Sequence, residues 1–146
     1  DRRQRQMCIR DRLSWMYDSL TEDELAKGRR NLATMLREML DQNQSRKFSD
    51  TDHRGVTDVT LVVKNMEAAW KLPGGIYNYG SSNDADMYET VRRVMASFGQ
   101  EALAEKATGG NVRNLMMRTD KLARHGIFFP DTAAGLEAFL RKGGAL

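Results

Sequence analysis

Apolar residues recur at helical spacing in three long stretches of this chain, and short segments of strand character lie between them. Leu32, Leu36, Met39 and Leu40 fall on one stripe; so do Val59, Val62, Val63, Met66 and Trp70, and again Met87, Val91, Val94, Met95 and Phe98. That spacing belongs to helices that pack one face against a core. Thr21-Glu22-Asp23-Glu24 reads as a capping box, with Leu20 and Leu25 placed to staple across it, so the first helix is predicted over 22–41. Gly28 costs its interior about 1 kcal/mol against alanine, which allows a kink or break there. The second helix runs from Asp58, a good cap in its own right, to Lys71, and Pro73-Gly74-Gly75 ends it. Asn83 or Asp84 caps the third, and Gly99 stops it. A short helix over 121–125, capped by Thr119 or Asp120 and stopped by Gly126, precedes a last one from Asp131 to Arg141.

Strands are expected at Leu13–Tyr17, Arg46–Ser49, Ile76–Tyr79 and Val112–Met117. Residues 50–57 read as polar loop, and 100–108 as further helical turns before Gly109-Gly110. Strands alternating with helices imply an α/β fold, with a few short, mostly parallel strands and flanking helices. No internal repeat breaks that order.

At 146 residues the chain is long enough for one domain with a real core. No apolar run approaches the roughly 20 residues that span a bilayer, so no membrane partner is expected. One cysteine, Cys8, excludes an internal disulfide framework and fits a reducing, cytoplasmic setting. The basic excess sits at the start, where residues 1–12 hold five arginines against two aspartates; the remainder is balanced. A nucleic-acid-binding domain clusters cations on a folded face, so this distribution argues against that function. Residues 1–11 have no apolar period and are read as a non-native or disordered tail, with 12–146 as the folded portion.

Five segments, in order, resemble the dTDP-4-dehydrorhamnose reductase family of extended short-chain dehydrogenases/reductases. Arg12-Leu13-Ser14-Trp15-Met16-Tyr17 is similar to its Arg-x-Ser-Trp-Val-Tyr strand, and Lys27-Gly28-Arg29-Arg30-Asn31-Leu32 to its Gly-Lys-Asn-Phe helix start. Phe48 to Thr57 resembles its Asp-Gln-x-Gly-x-Pro-Thr loop; Gly75-Ile76-Tyr77-Asn78 and the stretch from Arg113 to Lys121-Leu122 complete the series. The resemblance implies the C-terminal, substrate-binding portion of a Rossmann-like fold. It also implies a parent that binds NADPH or NADH, reduces a 4-keto-deoxysugar carried on a nucleoside diphosphate, and can form a homodimer. Val56 stands where that family has proline, which implies a less rigid loop here.

In that family a tyrosine donates the proton and a lysine four residues later lowers its pKa. Tyr17, Tyr77, Tyr79 and Tyr88 all lack that lysine; Tyr88 has Arg92 instead. Dinucleotide binding needs a Gly-x-Gly-x-x-Gly turn between strand and helix, and Gly74-Gly75, Gly109-Gly110 and Gly143-Gly144 all fail that spacing. This chain alone is therefore expected to bind no cofactor and to be inert. The substrate-side candidates are Trp15, a flat face for a base or sugar or else a core residue, and Arg54, a loop arginine able to fork onto a diphosphate or else solvated. Asn31, Thr57 and Arg113 are further candidates, each with a structural or surface alternative. His125 reads as a helix-end cation, and His53 beside Asp50 and Asp52 gives only the outline of a metal loop. A non-catalytic binding or regulatory subunit on the same fold is the second reading, and a helical interaction module the third.

Overall fold

The computed structural model describes residues 10–13, as backbone, and residues 15–142. The predicted strand at Leu13–Tyr17 is two strands with different partners. β1 (Arg10–Leu13) runs parallel to β6 (Ile76–Tyr79), with Leu13 opposite Tyr79; β2 (Trp15–Tyr17) runs parallel to β5 (Val56–Asp58), with Trp15 opposite Val56. Arg10 and Asp11, expected in the tail, thus belong to a paired strand; residues 1–9 lie outside the described residues. β3 (Arg46–Ser49) pairs with β7 (Ala104–Ala107), and β4 (Asp52–Arg54) with β8 (Arg113–Leu115), again in parallel. Among the described residues each strand has one partner.

Four expectations need correction. The polar loop at 50–57 contains β4 and β5, whose three-residue lengths are too short to show alternation and whose backbone groups are satisfied across the ribbon. The first helix is broken as Gly28 allows. α1 (Glu22–Ala26) keeps the Thr21 capping box, Gly28 takes a φ of 79°, and α2 (Leu32–Gln42) starts afresh at Asn31. The second divides at Asn65 into α3 (Val59–Lys64) and α4 (Met66–Trp70), because the Asn65 amide side chain donates back to the Leu61 carbonyl. The third, α5 (Met87–Ser97), is capped by Asp86, not by Asn83 or Asp84. Asn83 is buried in other bonds and Asp84 pairs with Arg93 at 3.1 Å.

Only one 3₁₀ turn (Glu101–Leu103) occupies the expected helical stretch before β7. α6 (Asp120–Ala123) and α7 (Thr132–Lys142) close the fold, and the Asp131 carboxylate accepts from the Ala134 amide at the start of α7. The larger core joins Leu36 and Met39 of α2, Val91, Val94 and Met95 of α5, Leu136 and Leu140 of α7, and Tyr17 and Val56 from the β2–β5 ribbon. A smaller one gathers Val62, Ala69, Tyr77, Tyr79, Leu122 and Ile127 beside β6. No helix among the described residues is long and apolar enough to cross a membrane.

Candidate functional site

Ligands of parallel α/β sheets gather beyond the carboxyl ends of the strands. Here the carboxyl ends of β1 and β6 lie side by side, and Trp15 comes two residues after Leu13. The loop that leaves β6 is tied down next to it. The Ser81 amide donates to Thr57 Oγ1 at 2.9 Å, and Thr132 Oγ1 donates to the Ser82 carbonyl at 3.0 Å. Val56 N–H donates to Thr132 Oγ1 at 3.1 Å. A proline could not make that last bond, so the valine ties the loop to Thr132 instead.

The same loop sets Arg54. Asn83 Nδ2 donates to the Arg54 carbonyl at 2.9 Å and to Thr90 Oγ1 at 2.8 Å, pinning the end of β4 to α5. Arg54 is no solvated loop arginine. It ends a strand, is only 5% exposed, and gives Nε and Nη2 to Asp52 Oδ1, each at 3.0 Å. Its guanidinium carbon stands 3.7 Å from the centre of the Trp15 ring. Trp15 itself is 62% exposed, which removes the core alternative. A buried charge with a carboxylate partner beneath a presented indole is a preorganised cationic face.

The other sequence candidates fall in different places. Arg113 is exposed on β8 and opposite Asp52 in register, so Arg113, Asp52, Arg54 and Leu115 share one face of the β4–β8 ribbon. Thr57 is buried beneath the site and holds the Ser81 amide. Asn31 is not brought to Trp15. It caps α2, with Oδ1 accepting from the Thr34 amide and Nδ2 donating to the Asp18 carbonyl at 2.7 Å, at the far end of β2. Asp52, Asn83, Ser81 and Thr132 were missed by sequence reasoning. Only Asp52 carried a local signal, two residues from Arg54 on one strand face; the rest are distant in sequence.

His53 lies on the opposite side of β4, and its Nδ1 and the Asp50 Oδ1 are buried without a hydrogen-bond partner. No group of three or more metal-ligating side chains forms among the described residues, so the outline of a metal loop at 50–53 is not realised. His125 lies in the turn that ends α6, where its amide donates to the Leu122 carbonyl at 3.0 Å. α6 stops at Ala123, and the His125 ring packs edge-on to Tyr77 with centroids 5.8 Å apart. A separate cavity of about 450 Å³ opens at the carboxyl ends of β2 and β5, with Ser19, Thr34, Asp58, Thr60 and Phe139 in its wall. In its wall Thr34 is engaged in a cap with Asn31, and Thr60 with Asp58. Beneath it Tyr17 is held protonated far above its ordinary range, chiefly by burial and secondarily by the Asp58 charge.

Among the described residues no glycine pair forms a strand-to-helix dinucleotide turn. Gly75 leads into a strand, not a helix, and the space a side chain would need there holds Lys121 Nζ, 2.9 Å from the position of a Cβ. Gly109 and Gly110 lie between two strands. Arg92, in the position of the lysine after Tyr88, is bound by Glu89 and Glu101 instead.

Solved structures that superpose on this chain include sugar-nucleotide enzymes. A dTDP-4-dehydrorhamnose reductase from Bacillus anthracis, in complex with NADP, superposes with a TM-score of 0.67 at 12% identity, over 90% of this chain and 46% of its own. A dTDP-glucose 4,6-dehydratase from the same organism, with NAD, gives 0.63 at 17% identity over 90% and 42%. A UDP-N-acetylglucosamine 4-epimerase from Bacillus cereus gives 0.62 at 14% over 92% and 46%. The chain has the fold of an extended short-chain dehydrogenase/reductase. It spans a little under half the length of these enzymes. No family model and no curated protein sequence matches it. Trp15 opens the β2–β5 ribbon, two residues past the carboxyl end of β1.

Proposed function

We propose that the chain is the substrate-binding portion of an NAD(P)-dependent sugar-nucleotide oxidoreductase, of the kind that reduces a nucleotide-linked 4-keto-deoxysugar, and that it is inert alone. The single observation that carries this reading is the buried, carboxylate-held Arg54 stacked on an exposed Trp15 beyond the carboxyl ends of parallel strands. In this reading the Trp15 indole supports the base or sugar, because aromatic faces stack on flat ring systems. Arg54 and Arg113 face the diphosphate, whose oxygens accept strong charge-assisted hydrogen bonds. NADPH or NADH, held elsewhere in the parent, supplies hydride; no side chain here moves a proton to the sugar.

Val56 and Asp58 each have a structural role and so do not favour the non-catalytic reading. Val56 donates to Thr132, and Asp58 caps α3 by accepting from the Thr60 amide at 2.9 Å. Calorimetric titration of the 146-residue chain with thymidine diphosphate, thymidine and NADPH tests the reading. Saturable binding of the diphosphate, much weaker binding of the nucleoside and none of NADPH is expected. Equal affinity for thymidine and its diphosphate would overturn the role of the arginines, and steady oxidation of NADPH with a keto-sugar nucleotide would overturn the inertness.

A further inference from the structure

We infer that Asp52 is the positioning residue of this site, orienting Arg54 for a nucleoside diphosphate before the ligand arrives; the inference rests on the function proposed above. Two of the three guanidinium nitrogens, Nε and Nη2, meet the same Asp52 oxygen at 3.0 Å. That pair of bonds fixes the rotation of the guanidinium in its own plane. The Trp15 ring, 3.7 Å from the guanidinium carbon, fixes the plane itself. Nη1 is left as the nitrogen through which Arg54 meets an anion.

The arrangement has an energetic logic. Burying a guanidinium with only 7% of its side chain exposed is costly without a paired carboxylate, and Asp52, with its side chain 21% exposed, supplies that partner. A single carboxylate against a single arginine would cancel the charge that a diphosphate needs. Arg113, exposed and opposite Asp52 across the ribbon, restores a net positive row on that face. Holding Arg54 in advance also removes rotamer entropy that ligand binding would otherwise have to overcome. Asp52 touches no reacting atom in this scheme; it acts through Arg54.

The experiment uses the full chain carrying Trp70→Phe, so that Trp15 is the remaining tryptophan. Asp52→Asn, Asp52→Ala and Asp52→Glu are compared with Arg54→Lys for thymidine diphosphate affinity and for Trp15 emission without ligand. Asp52→Asn and Asp52→Ala are expected to weaken binding by about tenfold, as for loss of a buried charge partner, and to shift the Trp15 emission as the stack loosens. Asp52→Glu, which keeps the charge, recovers part of both. Should Arg54→Lys weaken binding while every Asp52 variant binds and emits like the parent, the positioning role is overturned and the site survives. Should the parent bind no thymidine diphosphate, or Arg54→Lys bind as well as the parent, the site itself is overturned and this inference with it. If Asp52→Ala does not fold, the Asn and Glu pair decides alone.

Discussion

Gly55 passes so close to Ser81 that a Cβ on the glycine would stand 2.1 Å from the Ser81 carbonyl oxygen. No real side chain tolerates that distance, and the obstacle is backbone on both sides. The contact holds the loop after β6 against the turn between β4 and β5, where Arg54 ends. Gly55→Ala is therefore expected to destabilise the fold by several kcal/mol, about 3 or more, since neither backbone can yield without breaking the Ser81–Thr57 bond. A urea melt reads this directly; a midpoint within error of the parent would refute it.

Asn31 separates a structural role from a ligand role. Both ends of its amide are engaged, by the Thr34 amide and the Asp18 carbonyl. Asn31→Ala should cost about 1–2 kcal/mol, the range for a lost N-cap. It should leave thymidine diphosphate affinity unchanged. A selective loss of affinity with unchanged stability would return Asn31 to the binding surface.

Acid should expose the Glu89 network on the outer face of α5. The Arg92 guanidinium beside it holds the Glu89 carboxyl at about 2, with Arg93 assisting. A carboxyl depressed in the fold adds stability above its unfolded pKa, ordinarily about 4.3, and that contribution fades as pH falls toward the folded value. Between about pH 5 and pH 3 the parent should lose stability more steeply than Glu89→Gln. Parallel pH profiles for the two proteins would show that the arginines contribute nothing to folding.

Leu136 is fully buried in the larger core, where α7 meets α5 and β5. Leu136→Ala should remove about 3 kcal/mol through lost burial and the cavity left behind. The check is a lower urea midpoint with an unchanged slope. A loss below about 1 kcal/mol would mean that the site collapses around the gap.

Helices α2 and α5 were legible because their apolar stripes are local, whereas Val63, Met66 and Trp70 of the second predicted stripe are exposed. The stripe of Met87, Val91, Val94 and Met95 is buried as its spacing predicts, and Thr21 closes its box on Glu24. Strands β4 and β5 were not legible. Asp52-His53-Arg54 has no apolar alternation, and only a partner strand some 60 positions away makes it extended. The site was half visible for the same reason. Trp15 and Arg54 were recognisable by residue type, but the Asn83 and Thr132 bonds that fix them span 29 and 76 positions. Arg54 was placed in a loop because nothing in its neighbours announces a strand or burial, whereas its carboxylate lay two residues away in plain sight.

β1 and β2 are separated by one residue yet belong to different ribbons, one beside Ile76–Tyr79 and the other beside Val56–Asp58. A single length of backbone thus acts as a tie rod between two bodies of packed side chains. Whatever grips the indole therefore acts where one ribbon begins, two residues past the end of the other.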